Sequence, residues 1–256
     1  MTSSTTRSTS SAARSAMGWS DRRAFLEARG LRHDLGLTPD QPADPFEVAA
    51  RRGIEVVHLA VGEDDPVEGA FLRRDGRDFI LVNSAKRGRR QRFTCAHEVG
   101  HAVLLEPTED VEFVETAEQL DVARAATAEE REANLFAAEL LMPDVGIRHL
   151  VAGIEDPQDA AGAIARTYNV SPRSAAIRLN ELALLDKATT AGLLEAIDKD
   201  WREFWRTQQI PPDPRRSGSL GLPKRFRQRA DELLAADVIS PERHAELLNR
   251  PLRDRA

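Results

Sequence analysis

His97-Glu98-Val99-Gly100-His101 constrains this chain more than any other stretch. It lies in a run, residues 90–105, that no proline interrupts and in which Phe93, Ala96, Val99, Val103 and Leu104 recur at helical spacing. Residues four apart on a helix share one face, one turn apart, so His97 and His101 can aim ring nitrogens at the same metal ion. Glu98 sits one step round, placed to touch a metal-bound water rather than to ligate. This is the two-ligand, one-base arrangement of zinc hydrolases.

Zinc in such a site takes three protein ligands and keeps a position open for water. A third histidine six residues beyond the second is ruled out, because Pro107 stands there. A thermolysin-like site instead takes a glutamate from a second helix, and residues 129–143 supply the candidate. At about 100° per residue, Glu130, Ala133, Asn134, Ala137 and Leu141 share a face, with Glu132 and Glu139 opposite. Small alanines beside Glu130 allow close helix approach. Glu130 is therefore the expected third ligand, with Glu132 the second choice. Asn134, one turn on, can hydrogen-bond a ligand histidine and fix its ring.

Arg92-Phe93-Thr94, then Ala96-His97-Glu98, then Gly100-His101, followed by Glu130, Ala133-Asn134, Phe136-Ala137 and Leu140-Leu141-Met142-Pro143, resembles the ImmA/IrrE metallopeptidase family. Pro42-Ala43-Asp44-Pro45 and Ile80-Leu81-Val82-Asn83 match in order, so the resemblance covers residues 21–185. Cys95 departs from it, standing where the family more often carries a bulky apolar residue. The resemblance implies a cytoplasmic zinc-dependent protease acting on a partner helix-turn-helix repressor, in control of phage, mobile-element or damage-response genes.

Charge narrows the other readings. Residues 102–200 carry 8 basic and 20 acidic side chains, against 16 and 14 before them and 12 and 8 after. Tight nucleic-acid binding over the surface is not expected of such a chain, and direct DNA binding should be weak or absent. One cysteine excludes an intrachain disulfide and suits a reducing cytosol. No stretch reaches about 18 apolar residues, and the Ser/Thr-rich start has no apolar signal core.

In order along the chain, residues 1–20 are expected to be a disordered tail. A helix over 21–30 should close at Gly30. Asp44 caps a helix that starts at Pro45 and stops at Gly53. Residues 54–59 read as a strand, and residues 63–66 as a loop. Residues 67–73 and 77–83 read as a hairpin around Arg74-Asp75-Gly76. Residues 106–125 read as a solvated acidic loop or a lid. Residues 21–152 thus form the expected metallopeptidase core: α+β, with a small antiparallel sheet against a mainly helical, zincin-like body. Residues 153–186 read as a helix-turn-helix-like unit, with Asn169 in a left-handed turn and Ser171 capping a helix from Pro172. Arg173 and Arg178 would be its DNA-reading side chains, although packing or partner docking suits the acidic setting better. Residues 187–256 read as a helical extension: one helix over 193–205, a linker over 211–219 and a last helical pair. Its role as partner-recognition element or core cap stays open.

Zinc held by His97, His101 and Glu130, with Glu98 as general base, makes an endopeptidase the leading reading. A DNA-binding protein with structural zinc and a toxin–antitoxin-like interaction protein are the alternatives. His149 and Tyr168 are candidate second donors to the oxyanion.

Overall fold

The computed structural model describes residues 19–60, 66–105, 111–116 and 127–212, with isolated positions at 232, 234, 235, 240 and 241; side chains of 19, 20 and 113–116 lie outside the description. Residues 1–18 of the expected tail, the 63–65 part of the first loop, most of the 106–125 stretch, and most of the linker and final helical pair fall outside those residues, while residues 19 and 20 of the expected tail are helical.

The chain opens with α1 (Trp19–Asp34), which runs past Gly30. A glycine inside a helix costs about 1 kcal/mol relative to alanine. The next turn more than offsets that: Leu31 is buried, and the Arg32 guanidinium donates to the carbonyls of Leu140, Thr38 and Gln41, each at 2.7 Å. The helix ends instead at Asp34, and the turn after it closes at Gly36, whose φ of 68° is the left-handed geometry that suits glycine. Next comes α2 (Pro45–Arg51), capped as expected by Asp44, whose side chain accepts from the Phe46 amide. Gly53 ends that turn with φ 73°.

Strands β1 (Glu55–Leu59), β2 (Val67–Arg74) and β3 (Arg77–Asn83) follow. Arg74 pairs with Arg77 across a two-residue turn in which Asp75 (φ 50°) and Gly76 (φ 70°) both take positive φ, as a type I′ hairpin requires. Two corrections to the expected sheet come here. Its order is β1-β3-β2-β4, and β1 pairs with β3 in parallel, Glu55 opposite Phe79, so the sheet is mixed. The fourth strand is β4 (Val111–Thr116), antiparallel to β2 with a register shift between Val67 and Gly69, inside the stretch expected to be irregular.

Helix α3 (Gly88–Leu104) is held between this sheet and α4 (Ala128–Leu141), while α1 covers another side of α4. Thirteen of the seventeen α3 residues are buried, so it is an interior helix rather than an amphipathic surface one. Arg92 anchors it by donating to the Ala43 carbonyl and facing Asp44 at 3.4 Å. Apolar cores on both flanks, with Val99, Phe136, Leu140, Ile80 and Phe71 fully or almost fully buried, fix the crossing of α3 and α4.

Beyond α4 come α5 (Asp144–Leu150), α6 (Pro157–Tyr168) and α7 (Pro172–Glu181). Asn169 takes φ 54° between the last two, and Ser171 Oγ accepts from the Ser174 amide. The single helix expected over 193–205 is two: α8 (Lys187–Lys199) and α9 (Trp201–Thr207). Asp200 leaves helical geometry (φ −147°) and caps the second by accepting from Glu203 N, the local competition that short acidic side chains offer a helix. Among the described residues no helix is long and apolar enough to cross a membrane.

Candidate metal centre

Two helix interiors meet at one glycine. A Cβ at Gly100 would lie 3.1 Å from Ala133 Cα and 3.1 Å from the Phe136 ring, so α3 and α4 touch backbone to backbone. That approach brings Glu130, in the first turn of α4, over the face of α3 that carries His97 and His101. Thr127 secures this turn, its hydroxyl accepting from the Glu130 amide at 3.2 Å.

The two Nε2 atoms of His97 and His101 are 3.0 Å apart, and their rings stand at 79°. Glu130 Oε2 lies 3.3 Å from the first nitrogen, and Oε1 lies 3.4 Å from the second. All three side chains are buried, and their ligating atoms fall within 4.8 Å of one another. His97 Nδ1 is 3.0 Å from Asn134 Oδ1. A carbonyl oxygen only accepts, so Nδ1 carries the proton and Nε2 presents its lone pair to the centre. Burial pushes the Glu130 carboxyl up, but the closeness of the His101 and then the His97 imidazole outweighs it and holds the group well below the ordinary carboxylate range.

This donor set fits a cation. Two imidazole nitrogens cannot both donate to each other, and a buried carboxylate beside them adds further lone pairs. Glu130 Oε2 has no hydrogen-bond donor among the described residues despite being buried. Two nitrogens and one carboxylate converging at a buried point match the preferences of a borderline-soft divalent ion such as zinc.

The structure brings His97, His101 and Glu130 together, sets Asn134 on the His97 ring, and buries Glu98 beside His97 on α3. Glu132 is half-buried and outside the trio, so the second-choice ligand does not join it. Glu139 does face away, but into the core rather than to solvent. Neither expected oxyanion donor is offered to the centre. His149 is exposed on α5, and Tyr168 is buried with its hydroxyl donating to the Pro39 carbonyl at 3.0 Å. Arg178 is buried and donates to the Met142 carbonyl at 3.0 Å and to Glu139, while Arg173 pairs with Asp198 at 2.7 Å.

Sequence reasoning missed Gly69. A Cβ on this β2 residue would meet Thr94 Cγ2 at 2.4 Å, Glu98 Oε1 at 2.9 Å and the Leu81 carbonyl at 2.9 Å. Only glycine lets the strand lie against the Glu98 turn of α3. The available signal was a glycine inside a strand pattern, which often marks a close approach.

Residues 49–180 match the family model of M78 peptidases described as the IrrE N-terminal-like domain. The chain is 33% identical over 129 residues to the radiation response metalloprotease IrrE of Deinococcus radiodurans, covering 50% of this chain and 37% of that protein. It is 34% identical over 129 residues to the protein of the same name from Deinococcus deserti, covering 50% and 43%. A third relative, the uncharacterized immunity region protein 2 of Bacillus phage phi105, is 33% identical over 103 residues, covering 40% and 60%. The matched stretch thus spans less than two thirds of each of these relatives. The family model takes in both helices of the buried trio and more than half of the chain, so the chain belongs to the ImmA/IrrE family of M78 metallopeptidases.

Proposed function

We propose that the chain is a zinc-dependent endopeptidase that cuts a partner protein, with a helix-turn-helix transcriptional repressor as the substrate. The observation that carries this reading is the convergence of His97, His101 and Glu130, with Glu98 buried next to both histidines on α3. His97, His101 and Glu130 would hold the ion, and Asn134 would keep the His97 ring turned with Nε2 inward. Zinc bound there would supply Lewis acidity and lower the pKa of an attacking water towards ~7. Glu98 would take that water's proton on its carboxylate and pass it to the departing amine. Burial of the whole group keeps bulk water out and strengthens each of these electrostatic contacts.

The metalloprotease names of the two Deinococcus relatives support hydrolysis. The immunity-region name of the phage relative supports a role in gene control. A DNA-reading alternative would use Arg173 and Arg178, and the buried Arg178 guanidinium is committed to α4 and its C-terminal end. The 153–186 unit is better read as packing on the catalytic core than as a free DNA reader. A cytoplasmic location fits a repressor substrate.

The test is to look for a helix-turn-helix protein encoded next to the chain and to co-express the two. Parent protein should shorten that partner at one bond. Glu98→Gln should keep about one zinc and still bind the partner, yet lose roughly 10²–10⁴-fold in cleavage rate. If parent and variant derepress the target equally and neither cuts, the interaction-protein reading replaces this one.

A further inference from the structure

A second cavity lies at the opposite end of α3 from the metal ligands. It has a volume of about 300 Å³ and is bounded by the start of α3, the start of α7, the end of α8 and α9. Its lining sets four arginines, Arg87, Arg89, Arg90 and Arg173, against a single carboxylate, Asp198. This concentrates positive charge where the start of α3 meets the acidic 102–200 stretch.

Its aromatic wall is equally distinct. Trp201 and Trp205 stand edge to face, with centroids 6.1 Å apart at 86°. The guanidiniums of Arg87 and Arg202 lie 4.2 Å and 4.8 Å from the Trp201 ring centre, and that of Arg89 lies 4.5 Å from the Trp205 ring centre. Phe93 and Ile197 add apolar surface. Arg90 is neutralised by Glu68 at 3.0 Å. Among the described residues Arg173 is paired with the exposed Asp198, a pairing worth little in water and readily exchanged for a stronger anion. Arg87 is exposed, and among the described residues no carboxylate is within ion-pair reach of it.

We propose that this cavity binds a small phosphorylated aromatic molecule of the mononucleotide class, its ring against Trp201 and Trp205 and its phosphate on Arg87 and Arg173. Guanidinium forks match phosphate oxygens two at a time, and the two indole rings give a planar ring an aromatic wall to pack against. The volume sits at the lower end of small-molecule pockets and suits one nucleotide unit rather than a folded peptide. The site is separate from the metal trio. Phe93, which lines it, lies one turn before His97 on the same helix.

Calorimetric titration of the full chain with adenosine 5′-monophosphate tests this, with adenosine, inorganic phosphate and a ten-nucleotide thymidine strand as parallel arms. The monophosphate should bind with Kd below about 1 mM and at least about tenfold more tightly than either fragment. Arg87→Ala and Trp201→Ala should each weaken it about tenfold or more, with unchanged circular dichroism. Arg51→Ala removes the same charge elsewhere and should leave binding alone. No saturable binding by the monophosphate overturns the proposal, and so does binding that ignores Arg87→Ala. Phosphate binding as tightly as the monophosphate removes the ring from it. Tight, steeply salt-dependent binding of the strand alone would replace it with a nucleic-acid contact.

Discussion

Helix α4 carries two buried glutamates nine positions apart, and they live in opposite surroundings. Glu130 faces two histidine nitrogens, neither of which brings a permanent charge. Glu139 faces the guanidiniums of Arg178 and, at 2.8 Å, Arg29, and accepts from the Asp144 amide at 3.2 Å. Burial still pushes the Glu139 carboxyl above its ordinary value, with Arg178 and then Arg29 pulling it back. One carboxylate is complete within the chain, and the other, in the function proposed above, would be completed by a cation from outside. Burial of an acid alone therefore marks neither a fold-stabilising nor a functional residue; its partners decide.

The Glu139 end should show the largest effect on stability. Removing one partner of a buried ion pair strands the other charge, at a cost of about 3–5 kcal/mol. Arg178→Met should lower the urea unfolding midpoint accordingly. Because folding raises the Glu139 pKa, desolvation works against its ionised form, and that penalty grows as pH rises through the raised value. Glu139→Leu combined with Arg178→Met should therefore recover most of the loss. A double variant no better than the single one would mean the network contributes far more than its parts. At the other end, Glu130→Gln should behave in reverse: zinc content, read by elemental analysis, falls from about one equivalent to a small fraction, while the midpoint of the chelator-treated protein stays near that of its parent. If Glu130→Gln retains full zinc, the contrast between the two glutamates collapses.

A smaller effect tests the shell around the trio. Asn134→Ala removes the acceptor that fixes His97 Nδ1, and such losses weaken metal binding by roughly 10–100-fold. Competition with a chelator of known affinity measures this directly, and Asn134→Asp, which keeps an acceptor oxygen, should restore most of it. An unchanged affinity in Asn134→Ala would make the 3.0 Å contact a packing feature only.

Why α4 was legible and other parts were not follows from the range of the interactions. Helical periodicity placed Glu130, Ala133 and Asn134 on the face that meets α3, and local capping chemistry located Asp44, Ser171 and the left-handed Asn169. These depend on neighbours within one turn. The parallel pairing of β1 with β3 depends on strand order across the sheet, which no local pattern carries. Strand β4 hid because its alternation is short and set among acidic residues, and pairing with β2 supplies what its own sequence does not. Gly30 misled for a similar reason: the contacts made by Arg32 across to α4 override a local stop signal. Gly69 was present in the hairpin pattern, but the side chain it must admit, Glu98, lies on another element.

The smallest expected effect concerns the exposed counterpart of the Glu139 network. Arg173 and Asp198 form an ion pair at 2.7 Å with both side chains about half exposed, between α7 and α8. Water solvates both charges well before they meet, salt screens them, and ordering two long side chains costs entropy. Arg173→Ala should therefore cost no more than about 0.2–1 kcal/mol, and less still as ionic strength rises. The contrast with Arg178, five residues along the same helix, isolates burial, since both are arginines paired with a carboxylate on another helix. Urea unfolding of the two variants side by side, at low and high salt, makes the comparison. A loss in Arg173→Ala that approached that of Arg178→Met and resisted salt would show that the α7–α8 contact is part of the core rather than a solvated seam. Binding to duplex DNA should be weak in the parent and fall only slightly in Arg173→Ala, because one phosphate contact shifts the salt slope by about one. Sequence-specific binding at physiological salt that disappears with this single substitution would restore the DNA-reading role that the burial of Arg178 argues against.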